Sequence, residues 1–157
     1  MVKIRIGGII KNDHLAKIGV MSIPDQPGIA GVVLRALGQQ HINVQFIVQC
    51  IDLNNEDHII FCVDRDDLDA ALAIVERLLS EVQAERVIHN RHVALISIFG
   101  PDFRERPNIA GTFFSALAAK GINILAISTS ISTLSCIIDA HCLDDAVAAV
   151  TEAFELP

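Results

Sequence analysis

The 157-residue sequence has no tryptophan, no tyrosine and no long apolar run. Its apolar stretches reach about six to eight residues, whereas a helix that crosses a bilayer needs about 20. The opening "MVKIRIGG" lacks the apolar segment of a secretory signal. The 12 basic residues are dispersed and the net charge is −7, which disfavours nucleic acid as a partner. We therefore expect a cytoplasmic protein that binds neither a membrane nor nucleic acid.

Metal-binding and redox motifs are also scarce. The four cysteines form no C-x-x-C pair, and their apolar surroundings predict buried free thiols in a reducing compartment. His89 and His92 in "IHNRH" are interpreted as solvated residues of a linker between two units, and no metal site is predicted. The sequence contains no glycine-rich phosphate loop of the G-x-x-x-x-G-K-[ST] type. We expect no cofactor and no catalytic residue. The cysteines are Cys50, Cys62, Cys136 and Cys142.

A long internal repeat is what the sequence does contain. "PGIAGVVLRALGQQHINVQFI" begins at Pro27 and "PNIAGTFFSALAAKGINILAI" begins at Pro107, so the offset is 80 and nine of 21 positions are identical. Such a period indicates two copies of one supersecondary unit.

Each copy has the pattern strand, helix, strand, strand, helix, and the first adds a sixth element at 85–89. Short apolar runs at 18–23 and 93–99 indicate buried strands, and apolar residues three and four apart indicate helices. The predicted fold is α+β, with two ferredoxin-like βαββαβ units side by side. The second copy lacks a fourth strand after its last helix, so we expect residues 2–10 to cross over and complete its sheet. The predicted limits are 1–12, 13–90 and 91–157, and the other predicted strands are 43–51, 58–63, 123–130 and 134–138.

The turn "PDQPGIAG" is the best candidate for a binding site. Gly28 allows a tight turn, after which the amides of Gly28, Ile29 and Ala30 lack helical acceptors and attract a carboxylate. Asp25 offers an anion to an ammonium group, so the turn suits an amino-acid zwitterion. The alternative is that Asp25 only caps its own helix.

Other polar residues recur near the start and end of the predicted edge strands. Asn43 and Asn123 occupy the first strand position in the two copies, where they either tie down a loop or hold a ligand. Gln49 and the hydroxyls of Ser128, Thr129 and Ser130 lie further along, where alternation alone accounts for part of the pattern.

The segments "PDQPGIAGVVLRALGQQHINVQFIVQ" and "RPNIAGTFFSALAAKGINILAISTS" resemble the tandem ACT domains at the C-terminal end of aspartate kinase. The resemblance implies feedback inhibition by lysine or threonine bound at an interface between units. It also implies a homodimer that acts on a kinase catalytic domain or subunit. The effector contacts that it implies are Asp25, Gly28, Ile29, Ala30, Asn43, Gln49, Asn123, Ile124 and Ser130.

The sequence departs from that family at its second turn. Ile131 and Thr133 stand where relatives carry a glutamate and a basic residue, and Asn108, which tolerates a positive φ, replaces a glycine. Two alternatives therefore stay open. One is a dimerising ACT module without ligand. The other is a small acylphosphatase-like enzyme that uses Arg104 or Arg106, although the neighbouring Asp102 and Glu105 would repel an anion.

Overall fold

The computed structural model describes residues 2–101 and 103–157, so Asp102 lies outside the described part. The helices are α1 (Ile29–Gln39), α2 (Leu68–Val82), α3 (Ile109–Ala119) and α4 (Leu143–Ala153). The strands are β1 (Ile4–Arg5), β2 (Gly8–Pro24), β3 (Phe46–Ile51), β4 (Glu56–Asp64), β5 (Arg86–Phe99), β6 (Ala126–Thr129), β7 (Thr133–Asp139) and β8 (Phe154–Glu155).

The chain forms two compact α+β units. The first unit contains residues 14–92, and the second contains residues 2–13 together with 93–157. Both limits fall inside strands. The start of β2 and the end of β5 belong to the second unit, and the remainder of each strand belongs to the first. The limits predicted from the sequence, 1–12, 13–90 and 91–157, stay a prediction.

In the first unit the strand order is β3-β4-β2-β5. β4 pairs antiparallel with β3, where Gln49 is opposite Ile59, and with β2, where Val20 is opposite Ile59. The amide of Glu85 donates to the carbonyl of Met21 at 3.0 Å, where the chain enters β5. Apolar residues of α1 and α2 bury one face of this sheet, and the core includes Val33, Leu37, Ile59, Phe61, Leu68 and Val75.

In the second unit the N-terminal segment supplies the missing strand, as predicted. The strand order is β2-β5-β7-β6, and the amide of Gly7 donates to the carbonyl of Phe99 at 2.7 Å. β1 forms a separate parallel pair with β8, in which Ile4 is opposite Phe154. The expectation that nothing extended follows the last helix was therefore wrong. The core includes Ile6, Ile96, Phe113, Leu117, Ile138, Val150 and Phe154.

Several predicted boundaries differ from the structure. The "IHNRH" segment is part of β5 and not a linker. Polar residues fit this strand because His89, Arg91 and His92 are exposed and Asn90 is only half-buried. β3 and β6 begin three residues later than expected, so Asn43 and Asn123 precede the strands. Gly121 follows α3 with a positive φ of 71°, and His41 adopts the same conformation after α1 with φ 59°.

The four cysteines are free, but only Cys62 and Cys136 are buried. Cys142 is half-buried, and Cys50 is exposed on β3, so the prediction of burial was wrong for these two. Burial raises the pKa of both buried thiols to about 12.

Candidate functional site

Helix α1 begins without a side-chain cap. Its N-cap residue is Gly28, with φ 97° and ψ −7°, and no side chain of the described residues accepts a hydrogen bond from the first turn. The interpretation of Asp25 as a helix cap is therefore wrong. The amide of Val32 is the first to bond within the helix, to the carbonyl of Gly28 at 3.0 Å. The amides of the preceding helical residues have no acceptor within the helix, which leaves a partial positive charge there.

A cleft of about 370 Å³ opens at this helix end. Its volume lies in the range of small-molecule sites. Five of the residues predicted from the sequence line it, and one further carboxylate joins them. The lining residues are Asp25, Gln26, Pro27, Gly28, Ile29, Ala30, Gln49 and Asp57.

Asp57 is the functional candidate that the sequence reading missed. It lies on β4 two residues before Ile59, in phase with the residues that face the helices. Its exposed fraction is only 1%. Its Oδ1 atom has no hydrogen-bond partner among the described residues. The signal in the sequence was an acidic residue in register with Ile59 and Phe61, but it was hidden because "DLNNED" reads as a continuous turn.

The electrostatics of the cleft are dominated by two acids. Burial raises the pKa of the Asp57 carboxyl above its usual value, and the neighbouring Asp25 carboxylate raises it further. Interaction with Gln49 opposes this shift. Gln49 reaches Asp57 because Gln49 is paired with Ile59 and so projects from the same sheet face. The cleft therefore combines a helix N-terminus that attracts an anion with two carboxylates that attract a cation.

The corresponding cleft in the second unit has different chemistry. It has a volume of about 230 Å³, and Arg104, Arg106, Ser130 and Ile131 are among its lining residues. Asn108 adopts a helical φ of −85°, so the positive φ considered for it is not used. The amide of Ile109 instead donates to the carbonyl of Arg106 at 3.2 Å. Both arginines are exposed, and the enzyme alternative built on them stays an untested prediction.

The remaining predicted contact residues lie outside the first cleft. Asn43 and Asn123 are exposed in the segments that lead into β3 and β6. Ile124 is partly buried against the core of the second unit. Ser130 is exposed, and its amide donates to the carbonyl of Thr133 at 2.8 Å. The structure thus brings together Asp25, Gly28, Ile29, Ala30 and Gln49. The other four predicted contact residues do not line this cleft.

Three histidines outside the clefts contact carboxylates. His58 bonds Asp52 through Nε2 at 2.8 Å, and its Nδ1 accepts the amide of Ser22 at 3.1 Å. The hydrogen bond with His58 is the main reason that the pKa of Asp52 is lowered, and hydrogen bonds from the amides of Asn54 and Glu56 lower it further. His141 pairs with Asp139 at the start of a short turn.

The third histidine belongs to the one cluster, among the described residues, that resembles a set of metal ligands. His14, Asp64 and Asp66 place ligand atoms within 4.8 Å of one another at the surface. The guanidinium of Arg65 lies 3.4 Å from His14 Nδ1, and its positive charge opposes a bound cation.

Within the described residues, no helix is both long and apolar enough to cross a membrane.

Comparison with known proteins gives one consistent result. ACT-domain family models match residues 18–82 and 96–154. An aspartate kinase of Pseudomonas fluorescens is 36% identical over 151 residues, which are 96% of this chain and 37% of that protein. The ligand-free regulatory subunit of aspartate kinase from Thermus thermophilus is 35% identical with a TM-score of 0.87, and the match covers 96% of this chain and 99% of that one. Aspartate kinase from Synechocystis is 32% identical with a TM-score of 0.91, over 97% of this chain and 28% of that one.

Proposed function

Because this chain belongs to the ACT-domain family of aspartate kinase regulatory regions, we propose that it binds an amino acid and thereby regulates an aspartate kinase. The chain spans 37% of the length of the Pseudomonas fluorescens kinase that it matches. The regulated partner in this proposal is a catalytic domain or subunit that supplies the rest of such an enzyme. The proposal includes a cytoplasmic location for this chain, because all four cysteines are free thiols.

The observation that carries the proposal is the pairing of opposite charges across the first cleft. The ligand's carboxylate accepts hydrogen bonds from the free amides at the start of α1, where the helix dipole favours a negative charge. Its ammonium group donates to Asp25 and to the amide oxygen of Gln49, which line the same cleft. A zwitterion satisfies both sides at once, whereas a simple anion would meet two carboxylates and a simple cation would leave the helix end unpaired.

Lysine and threonine are the proposed effectors, on the strength of the family resemblance. Asp25, Gly28, Ile29, Ala30 and Gln49 are the proposed contacts within the first cleft. Contacts from Asn43, Asn123, Ile124 and Ser130, and a homodimer, also belong to the proposal and rest on the resemblance alone. An effector regulates the kinase only by the difference in its affinity for the active and inactive arrangements.

Isothermal titration calorimetry with lysine and with threonine tests the proposal. Asp25→Ala removes a charged hydrogen-bond acceptor, a loss of about 1.5 to 3 kcal/mol, so the Kd should rise about 10- to 150-fold. Glu105→Ala is the matched control, because Glu105 occupies the equivalent position 80 residues later and is exposed. We expect Glu105→Ala to leave the Kd of the amino acid unchanged.

Three outcomes separate the candidate functions. Binding that Asp25→Ala weakens supports the proposed site. Binding that responds equally to both variants would place the ligand elsewhere. If neither amino acid produces heat at millimolar concentration while sedimentation shows a dimer, the chain is a dimerising module without ligand.

A further inference from the structure

We propose that Asp57 is a second anchor for the ligand's ammonium group, and that binding of the amino acid displaces a proton from its carboxyl to solvent. This inference rests on the proposed function, because it concerns the same cleft. On binding, the carboxyl O–H bond of Asp57 breaks, the proton goes to solvent, and an N–H of the ammonium group donates to Oδ1. The effector site is therefore proton-linked, and its affinity rises with pH.

The geometry around Asp57 is that of an unfilled acceptor. The residue is 1% exposed, lines the cleft, and leaves Oδ1 without a partner among the described residues. A buried polar atom without a hydrogen bond is costly, and native structures rarely keep one without a function or a missing partner. A donor that enters the cleft satisfies this atom. An ammonium group has three donors, enough to serve Asp25, Gln49 and Asp57 together.

The charges that face Asp57 determine its protonation. Asp25 in the turn is the like charge, and His58, the next residue on β4, exerts a weaker opposing effect. Gln49 on β3 is polar but uncharged. Burial and Asp25 together raise the pKa of Asp57, so the empty cleft favours its protonated form at a pH where an ordinary aspartate is ionised. A cation between the two carboxylates reverses this preference.

The second unit has no acidic residue at the position equivalent to Asp57, so the two units can be compared within one protein. Asp64 and Asp139 each cap the short 3-10 helix that precedes the last helix of their unit. These two equivalent residues differ by 75 in number, so Ser132 is the counterpart of Asp57. Ser132 is an exposed residue that carries no titratable group. Proton release on binding is therefore expected from the first cleft alone, and Ser132→Ala is a matched control.

The main test measures proton release by calorimetry of the whole chain with lysine and with threonine. Titrations in two buffers of equal pH and different ionisation enthalpy give the number of protons released per ligand. We expect the wild type to release up to one proton, with the number falling toward zero as the pH is raised. Asp57→Asn should abolish the release and weaken binding about 10-fold or more, whereas Ser132→Ala should change neither. An unchanged release and affinity in Asp57→Asn would overturn the inference.

The variants separate the inference from the proposed function. If Asp25→Ala weakens binding and Asp57→Asn does not, the effector site stands and the role of Asp57 is wrong. If the wild type binds neither amino acid, both fail. Asp57→Asn is expected to fold, because it removes a carboxylate whose ionisation burial disfavours.

A carboxyl NMR titration of the wild type needs no variant. The midpoint of Asp57 should lie above that of an ordinary aspartate in the free protein and should fall when the effector is saturating. A midpoint at the ordinary value in the free protein contradicts the inference.

Discussion

Gly28→Ala is the substitution whose effect follows most directly from the backbone. Gly28 has φ 97°, and a Cβ built on it meets no atom within 4 Å. The cost of an alanine there is therefore conformational and not steric. Holding an L-residue at such a φ costs about 1 to 2 kcal/mol. We expect the free energy of unfolding to fall by that amount, while the slope of this free energy against urea concentration, the m-value, stays unchanged.

Gly31→Ala, in the first turn of α1, is the matched control. A Cβ at Gly31 also meets no atom within 4 Å, but its φ is not in the positive range. Alanine there should stabilise the protein by about 0.5 to 1 kcal/mol, because glycine is unfavourable inside a helix. Urea unfolding of the ligand-free protein measures both changes. The reasoning is refuted if the two variants shift the midpoint in the same direction by similar amounts.

Three further substitutions and reactions test other parts of the structure. Phe113→Ala empties a site that is 0% exposed and should cost about 3 to 5 kcal/mol in urea unfolding; a cost below about 1 kcal/mol would contradict the packing. Asp52→Asn should reduce stability at neutral pH. Since the Asp52 pKa is lowered by His58, this difference should vanish as pH falls through that lowered pKa; thermal melts at several pH values measure it. Alkylation followed by mass spectrometry should label Cys50 before Cys62, whose pKa of about 12 leaves roughly one thiolate in 10,000 near pH 8.

The fold was predictable because the repeat and the local periods agree. The offset of 80 identifies two copies, and the missing strand of the second copy points to the N-terminal segment. Boundaries were less predictable where polar residues occupy strands. "IHNRH" reads as a loop, yet it forms part of β5, since strand propensity depends strongly on the neighbouring strands.

The candidate site was predictable only for residues that are close in sequence. The turn from Asp25 to Ala30 was recognisable. Gln49 was noticed as a polar strand residue, and only the resemblance implied that it contacts an effector. Asp57 was missed because its importance depends on burial and on its proximity to Asp25, which are properties of the folded sheet. Asn43 and Asn123 show the opposite case, in which a repeated residue was noticed but lies before the strand that it was expected to begin.

The discontinuous second unit has a consequence for the order of folding during synthesis. The first unit is one continuous segment, 14–92, whereas residues 2–13 belong with 93–157. At about 5 to 20 residues per second, those last 65 residues take about 3 to 13 s to be made. During this interval the first unit has all of its strands, while the segment before it has no partner strand. Residues 2–13 therefore stay open to wrong pairing during this interval, because they are synthesised before the first unit while their partner strands lie in 93–157.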